Sequence, residues 1–494
     1  MWDNVMVSIR TAAPALLLVL AGCVSGPDHK PPEMPLPAKF SEGGTKANGD
    51  IAGSQWWTAF GDSKLNAFAA QGLAQNLTIQ QALERINQAE AAVVTAGAGG
   101  LPSLTVSGDN TTSGQKGGSR VSSSAGRRNT TTGTASASWL LDLWGQYRRA
   151  TESANASLDA AYSTVDVQRL TYLQDLANSY VNARYYQRLI SIAQENLKSR
   201  RDTLSLTKFQ LEAGAASRLD VVQAEGLVNQ TLALVPGYEI SYRQQVHHIA
   251  TLLNVPSSTI IAQMQGSGRQ PVFRGSVRSG VPADLIRNRP DIRVAERTLA
   301  ASTAQIGVAE AKLFPSITLS GSISPTYIHT SSASGGLTTW SFGPSLNLPI
   351  FDGGALRAGV KSAESTSREN YLAWQQTVRE AVEQVENALS AVARDAQTVA
   401  ALQAQVKSYQ EALQLSTASY KDGASSLLDV LDAQRNVTAA QQSLAQAIQQ
   451  SALDYISLNV AIGAGYVPAG KATIAAGPTR AKAEAIKVAA KKTN

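Results

Sequence analysis

The feature that most constrains this sequence is an internal repeat, because a chain that repeats itself builds two copies of one structural unit. The matching pairs are LPSLTVSG (101–108) with FPSITLSG (314–321), LDLWGQYRRA (141–150) with PIFDGGALRA (349–358), and EAGAASRLDV (212–221) with KDGASSLLDV (421–430). They occur in the same order, at offsets of 213, 208 and 209 residues. The nearly constant offset predicts a duplicated domain of about 210 residues rather than a solenoid of short repeats.

Each repeat is predicted to contain helix, then a two-stranded hairpin, then helix again. In the first and second copies, helices are predicted near 64–99 and 284–313, first strands at 103–112 and 316–325, and second strands at 131–144 and 340–351. Segments rich in Gly and Ser, 113–128 and 330–339, separate the paired strands. Strands of about ten residues have the length that crosses a bilayer as β-structure.

A long helix is predicted to follow each hairpin. No proline occurs from Gly145 to Ala213 or from Gly354 to Asp422, and a helix of that length would extend about 100 Å. In the second copy, apolar residues spaced by three and four predict a coiled-coil seam.

Each long helix is predicted to end at a glycine, Gly214 or Gly423, with Ser217 or Ser425 available to begin a second helix. The second helix is predicted to return to about residue 253 in the first copy and residue 462 in the second. The sequence therefore predicts a helical hairpin with a tight tip in each copy.

The single cysteine, Cys23, follows a short apolar run, APALLLVLAG, that is preceded by Arg10. The run is too short to span a bilayer as a helix, and it has the features of a signal peptide. Leu20-Ala21-Gly22-Cys23 resembles a bacterial lipobox, which predicts cleavage before Cys23 and acylation of its thiol. The alternative is an ordinary signal peptide with an incidental cysteine.

The net charge of +6 is concentrated at one end of the chain. Residues 471–494 contain six basic side chains and one acidic side chain, which leaves the rest of the sequence nearly neutral. We therefore expect a flexible basic tail and no nucleic-acid surface. The predicted domains are a signal peptide (1–22), an acylated N-terminus with a Pro-rich tether (23–60), two repeats (61–265 and 280–466) and a disordered tail (467–494).

The four predicted strands require an oligomer if they enter a membrane. Four strands cannot close a barrel, and unpaired strand edges are not tolerated in lipid. Three copies of the chain would supply twelve strands, which is an acceptable barrel size. The helices are too polar to lie in the membrane, so they would project into the periplasm and form a helical tube there.

Three segments resemble the TolC-type outer-membrane efflux channels: LIRNRPDIRVAERTLAASTAQIGVAEAKLFPSITLSGS (285–322), FDGG (351–354) and LLDVLDAQR (427–435). The lipobox, GPDHKPPEMPLP (26–37) and WWTAFGD (56–62) resemble the lipoprotein branch often labelled NodT, which includes OprM. The resemblance covers residues 23 to 466. It implies a mainly α fold with a membrane β-barrel portion, in which a homotrimer forms a twelve-stranded barrel and a periplasmic α-helical barrel.

The same resemblance implies partners and a location. The trimer would sit in the bacterial outer membrane, anchored by the lipid on Cys23 and otherwise without cofactors. It would contact a periplasmic adaptor (membrane fusion protein) and an inner-membrane pump of the RND type. As a passive conduit it would export small molecules.

A candidate gate follows from the spacing of Leu428, Asp432 and Arg435, which places them on one face of a helix. In a trimer this face occurs three times, and a ring of three carboxylates attracts cations and restricts a narrow opening. The resemblance implies that Leu428 and Asp432 line the periplasmic aperture and that Arg435 forms a restraining ion pair. Asp429 and its counterpart Asp220 are expected to supply partners for such pairs.

Only the second copy carries this set, because Gln223 and Gly226 stand where the second copy has Asp432 and Arg435. The alternative is a solvated helix face with ordinary i,i+4 pairs. The helical tips are the predicted adaptor contacts: Gly214, Ala215, Ser217 and Leu219 in the first copy, and Gly423, Ala424, Ser426 and Leu428 in the second.

Little in the sequence favours catalysis. The four histidines, His29, His247, His248 and His329, have no spacing typical of a metal site, and no phosphate-binding or nucleophile motif occurs. We therefore expect a protein that is not an enzyme and holds no metal. The remaining alternatives are an exit duct for type I protein secretion, a metal-ion efflux channel, and a structural coiled-coil lipoprotein, which would have no need for the repeated strands.

Overall fold

The computed structural model describes residues 24–43, 51–114, 127–266, 268–274 and 280–469. The helices are α1 (Ser63–Gln75), α2 (Leu77–Ala98), α3 (Gln146–Glu212), α4 (Arg218–Leu252), α5 (Ser257–Met264), α6 (Pro282–Asn288), α7 (Pro290–Ala311), α8 (Ala355–Lys421) and α9 (Leu427–Ala461), and a 3-10 helix spans Trp56–Phe60. The strands are β1 (Ser103–Ser113), β2 (Arg128–Leu141), β3 (Ser316–Thr330) and β4 (Ser334–Asn347). The predicted order, with one strand hairpin and long helices in each repeat, is confirmed.

The first helical stretch of each repeat is broken, whereas the sequence predicted it as continuous. In the first copy the break falls at Asn76, whose side-chain oxygen accepts hydrogen bonds from the amides of Thr78 (2.9 Å) and Ile79 (3.2 Å). In the second copy Arg289 is extended because a proline, Pro290, follows it. A capping side chain and a proline thus produce the same break between α1 and α2 as between α6 and α7.

The four strands form one antiparallel sheet in the order β1-β2-β3-β4, so the hairpins of the two repeats pair with each other through β2 and β3. The strands are longer than the ten residues predicted, at 11 to 15 residues. Much of the predicted Gly- and Ser-rich loop at 330–339 is strand, because β4 begins at Ser334. Within the described residues, β1 and β4 each have one edge without a neighbouring strand.

The second strands end earlier than predicted, at Leu141 and Asn347. The residues that follow form the connections into α3 and α8. Asp142 accepts a hydrogen bond from the amide of Arg148 (3.0 Å), and Asp352 accepts one from the amide of Gly354 (2.9 Å). Side-chain acceptors at the start of a helix satisfy amides that lack intrahelical partners, and this chemistry ends the strand.

The two faces of the sheet differ in composition. The register places Leu104, Val106, Ala135, Ala137, Ile317, Leu319, Ile323, Trp340, Phe342 and Leu346 on one face. The alternate positions carry mostly Ser and Thr, including Thr105, which bonds Ser136 (2.7 Å), and Ser322, which bonds Ser341 (3.0 Å). Trp340 and Phe342 are 78% and 79% exposed in the single chain. The sheet therefore has one apolar face and one hydroxyl-rich face.

The long helices have matching bounds in the two copies. Helices α3 and α8 each contain 67 residues, and α4 and α9 each contain 35. The turns between them contain Gly214 and Gly423, with φ of 75° and 73°. The second helix of the second copy begins after Ser426, not Ser425 as predicted. No helix in the described part of the chain has the length and apolarity required to cross a membrane.

The described residues of the chain divide into two compact units. One contains parts of 1–33, 85–161 and 295–374, including the whole sheet, and the other contains parts of 34–84, 162–294 and 375–494, including both helical turns. In the first unit the predicted tether is not free at its start. Buried Arg149 donates to the carbonyl oxygens of Ser25 and Gly26 (2.9 Å each) and to Asp28 (2.8 Å).

In the second unit the predicted disordered tail begins as part of the fold. The amide of Ala469 donates to buried Asp166 (2.9 Å), and Arg169 donates to the carbonyl oxygen of Val467 (2.6 Å). Because a buried carboxylate requires donors, Asp166 holds residues that the sequence placed in the tail. The prediction of disorder from residue 467 is therefore wrong for 467–469, and residues 470–494 lie outside the described residues.

Candidate functional site

The turns that join the helical hairpins are called here the first tip (residues 214–219) and the second tip (residues 423–428). Both turns have a glycine in the left-handed region, which a residue with a Cβ rarely adopts. After the glycine, the amide of Ala215 bonds the carbonyl oxygen of Gln210 (2.8 Å), and the amide of Ala424 bonds that of Ser419 (2.8 Å). These bonds satisfy carbonyls at the ends of the long helices and produce the same sharp reversal in both copies.

Each return helix begins with the same serine–aspartate pair. The amide and Oγ of Ser217 donate to Asp220 (2.8 and 2.7 Å), and those of Ser426 donate to Asp429 (3.1 and 2.9 Å). A carboxylate at the third helical position is a standard partner for the residue that begins the helix. Asp220 and Asp429 therefore bond their own tips, which differs from their predicted role as partners in gate ion pairs.

The tips present leucines to solvent. Leu219 is 65% exposed and Leu428 is 59% exposed, while the small residues around them are mostly exposed as well. Leu427, the neighbour of Leu428, is buried in a cluster with Tyr420 and Leu431. Each tip thus displays one large apolar side chain above a packed base.

Asp432 and Arg435 lie on the exposed side of α9, below the second tip. Asp432 accepts a hydrogen bond from the side-chain amide of Asn436 (3.0 Å), one turn later on the same helix. Among the described residues, the ion pairs within the chain do not include Asp432 or Arg435. The restraining pair predicted for Arg435 is thus not formed with any described residue of the same chain, and both side chains are exposed.

The first copy lacks this charged pair. Gln223 and Gly226 occupy the corresponding places on α4, and the space around Gly226 is open. The neighbouring Glu225 forms a surface ion pair with Lys208 (3.0 Å). The exposed charges of the two copies therefore differ at the level of the predicted gate.

Two buried polar residues that were not predicted from the sequence lie behind the gate positions, Arg200 on α3 and Gln434 on α9. Arg200 is 5% exposed and Gln434 is 3% exposed. Burial, followed by the positive charge of Arg435, lowers the pKa of the Arg200 guanidinium. Gln434 could have been identified from the sequence. It is a polar residue that interrupts Leu427, Leu431 and Val437, the apolar positions on the buried face of α9.

Cys23 lies outside the described residues, but its near neighbours do not. The amide of Ser25 donates to the carbonyl oxygen of Trp144 (3.0 Å), directly after β2. Trp144 stacks on Phe314, with ring centroids 4.7 Å apart, and its indole nitrogen donates to the carbonyl oxygen of Pro315 (2.7 Å). The chain two residues after Cys23 is therefore held beside the end of the sheet where β2 ends and β3 begins.

Comparison with known proteins gives one consistent result. The family model described as outer membrane efflux protein matches residues 69–255 and 281–464, one segment in each repeat. Nodulation protein T of Rhizobium leguminosarum bv. viciae is 56% identical over 463 residues, which cover 93% of this chain and 94% of the relative. The cation efflux system protein CusC of Escherichia coli (strain K12) is 29% identical and covers 91% of this chain and 97% of its own length.

A solved structure of the outer-membrane channel OprN matches the fold with a TM-score of 0.78 and 29% sequence identity. The match covers 90% of this chain and 99% of that one. The segments matched by the family model, 69–255 and 281–464, include the strand hairpins and the helical tips of both repeats.

Proposed function

The chain belongs to the outer membrane efflux protein family, and we propose that it is a passive, lipid-anchored conduit that exports small molecules. Its relatives are outer-membrane components of efflux systems. The proposal for this chain consists of a homotrimer, a lipid on Cys23, an adaptor and an RND-type pump as partners, and a gate at the second tip.

The observation that carries the proposal is the open, two-faced sheet. Its apolar face bears Leu104, Val106, Ile323, Trp340 and Phe342, whereas serine and threonine hydroxyls fill the opposite face. Alternation of this kind fits a sheet with lipid on one side and water on the other. A helical coiled-coil lipoprotein has no need for such a sheet, so this alternative is disfavoured.

The free edges of the sheet support the trimer. Backbone groups on the outer edges of β1 and β4 would lack hydrogen-bond partners in lipid, where each such group costs several kcal/mol. If β4 of one copy pairs with β1 of the next, three copies of four strands give a closed barrel of twelve. This number lies within the range of bacterial membrane barrels.

The gate is proposed from charge and position. In the trimer, three copies of Asp432 and Arg435 would surround the axis at the periplasmic end, with Leu428 beside them. Since these two charges have no ion-pair partner among the described residues of their own chain, their partners would come from neighbouring copies. The exposed Leu219 and Leu428 at the tips would contact the periplasmic adaptor.

The substrate class is proposed as small molecules. Cation export is the second candidate, because the relative CusC is named as part of a cation efflux system. Export assays in a strain that lacks this gene would separate the two. Sensitivity to organic toxicants alone supports small-molecule export, and sensitivity to metal salts alone supports cation export.

Disulfide trapping tests the shared barrel. Thr105→Cys on β1 is combined in turn with Ser341→Cys and Ser345→Cys on β4, and oxidised membranes are separated by electrophoresis. We expect covalent dimers and trimers and no larger species. The matched control is Thr105→Cys with Ser136→Cys, two residues paired within one chain, which should give only monomers. A ladder beyond three, or no intermolecular product from any edge pair, contradicts the proposal.

Labelling with a radioactive or clickable fatty acid tests the lipid anchor. Wild-type protein should incorporate the label and Cys23→Ser should not. Because residues 25–28 are held by Arg149 and Trp144, the unlabelled variant is expected to retain its fold. Label that persists in Cys23→Ser contradicts the lipid assignment.

A further inference from the structure

Behind the second tip, the contact between α3 and α9 changes from apolar to polar. Towards the tip, Leu204 and Leu206 of α3 pack against an apolar cluster that includes Leu427, Val430 and Leu431 of α9. Further from the tip lies a second apolar cluster, formed by Leu189, Ile192 and Ala445. Between them is a set of polar side chains, called here the polar joint: Ser199, Arg200 and Thr203 of α3, Thr231 of α4, and Gln434 and Thr438 of α9.

Arg200 carries a buried charge whose hydrogen-bond partners are all neutral. Its Nη1 donates to the carbonyl oxygen of Leu227 (3.0 Å) and to Thr231 Oγ1 (2.5 Å). Its Nη2 is 3.4 Å from Thr438 Oγ1, at the long limit of a hydrogen bond. Its Nε has no hydrogen-bond partner among the described residues, although it is shielded from solvent. A buried guanidinium is stable when a carboxylate compensates it, and none is among these partners.

Gln434 is also incompletely bonded. Its Nε2 donates to Thr203 Oγ1 (2.8 Å) and is 3.4 Å from Ser199 Oγ. Its Oε1 is buried without a hydrogen-bond partner in the described part of the chain. The polar joint therefore holds α9 against α3 through hydrogen bonds while it leaves one donor and one acceptor unpaired. Such groups gain hydration when water reaches them.

The polar joint lies on the same turn of α9 as the proposed gate charges. Gln434 lies two residues after Asp432 and one before Arg435, so the same turn of α9 carries the joint inward and the proposed gate charges outward. The positive charge of Arg435 also disfavours the protonated form of Arg200 across this turn. Movement of α9 away from α3 would hydrate Arg200 and Gln434 and displace Asp432 and Arg435 together.

We propose that the polar joint is a release point at which α9 separates from α3 when the gate opens, and that the uncompensated charge of Arg200 favours this separation. The proposal rests on the proposed gate at Asp432 and Arg435. It assigns Arg200 and Gln434 as positioning residues, which act on the gate through the placement of α9.

The test supplies the missing carboxylate. Thr438→Glu places an acidic side chain beside Arg200 Nη2, and Thr438→Gln is the matched neutral control of the same size. Both are made in the Asp432→Ala, Arg435→Ala protein, in which the channel is expected to be open. In planar bilayers we expect Thr438→Glu to lower single-channel conductance about tenfold relative to Thr438→Gln, because the new ion pair holds α9 on α3.

A second measurement, hydrogen exchange, does not depend on ion conduction through the channel. Hydrogen exchange of the amides of residues 427–440 should be about tenfold slower in Thr438→Glu than in Thr438→Gln, since an opening that breaks an ion pair is rarer. Replacing Arg200 by Met in both proteins should abolish the difference between them. Equal exchange in Thr438→Glu and Thr438→Gln, or a difference that survives Arg200→Met, overturns the proposal.

Conductance and hydrogen exchange together distinguish failure of the release point from failure of the proposed gate. If Asp432→Ala, Arg435→Ala conducts no more than wild type, the proposed gate is wrong. The release point is then judged by hydrogen exchange alone. If the gate variant conducts more than wild type, but Thr438→Glu and Thr438→Gln have equal conductance and equal hydrogen exchange, the gate is supported and the release point is wrong.

Discussion

The first and second tips share a backbone and differ in chemistry. Both contain a glycine with φ near 74°, and both return helices begin with a serine that donates to an aspartate three residues later. On the following turns the corresponding pair is Gln223 and Gly226 in the first copy but Asp432 and Arg435 in the second.

Because the turn is the same in both tips while the charges differ, the turn and the proposed gate are separate properties of the same segment. The turn depends on local bonds that duplication copied intact. The charges belong to side chains that do not take part in those bonds. One copy can therefore carry an acidic and a basic residue where the other carries two neutral ones. The interior differs as well, because Arg200 on α3 corresponds to Tyr409 on α8.

The largest effect is expected from removing the charges that distinguish the second tip. Asp432→Ala with Arg435→Ala should raise single-channel conductance in planar bilayers, on the order of tenfold or more. Each charge-assisted pair is worth about 1.5–3 kcal/mol, and a trimer would lose three. The matched control is Gln223→Ala in the first copy, which should leave conductance near the wild-type value. Equal conductance in the two variants would remove the functional distinction between the tips.

The next effect concerns a buried carboxylate that only the first copy has. Burial raises the pKa of Asp166 to about 6, although the Ala469 amide, Arg169 and Arg293 lower it, and its counterpart in α8 is the neutral Gln375. Between pH 4 and pH 6 the folded state therefore binds more protons at this site than the unfolded state does. The folding stability that Asp166 contributes should fall as pH rises through this window, by about 3 kcal/mol.

Unfolding temperatures of wild type and Asp166→Asn, measured from pH 4 to pH 7, check this sign. The wild type should lose stability relative to the variant as pH rises to 6, and the difference should then level off. Gln375→Asn is the control and should show a constant difference from wild type. A wild type that gains stability relative to Asp166→Asn across the window would show that the carboxylate is stabilised by its guanidinium partners instead.

A smaller effect should be common to both tips. Leu219→Asp and Leu428→Asp each place a charge where an apolar side chain would contact the adaptor, with a loss of about 2 kcal/mol of binding. Binding of the detergent-solubilised protein to the immobilised proposed adaptor checks this expectation. Comparable losses support contact through both copies. A loss at only one tip would show that the adaptor distinguishes them.

The smallest effect should be equal in the two copies. Asp220→Ala and Asp429→Ala each remove the acceptor for a helix-initiating serine, which costs about 1 kcal/mol of stability. Unfolding temperatures of the two variants should therefore fall together. If Asp429→Ala alone also raised conductance, the aspartate would act in the gate as well as in the turn.

Much of the fold was predictable because the repeat supplied each observation twice. Proline-free stretches gave the long helices to within a few residues, and the recurring glycines located both turns. Strand ends were less predictable, because Asp142 and Asp352 end the strands through bonds to amides of the following helices. The break at Asn76 was also missed, since it depends on a side chain that caps the next helix.

The candidate site was predictable in position but not in its contacts. Helical spacing placed Leu428, Asp432 and Arg435 on one face, and the structure shows that Asp432 and Arg435 are exposed. That Asp432 bonds Asn436, and that Asp220 and Asp429 bond serines, depends on competition among nearby donors that spacing does not resolve. Arg200 was missed because its burial depends on contacts with α4 and α9, which are distant in sequence.

The proposed gate assigns closure of the channel to the second tip and not to the first. Asp432→Cys and Gln223→Cys test it most directly, with conductance measured in planar bilayers before and after oxidation. If the second tip alone closes the channel, oxidised Asp432→Cys should form covalent dimers between copies and lose most of its conductance, which reduction should restore, whereas Gln223→Cys should show neither change. Cross-linking and loss of conductance in Gln223→Cys, with none in Asp432→Cys, would contradict this assignment.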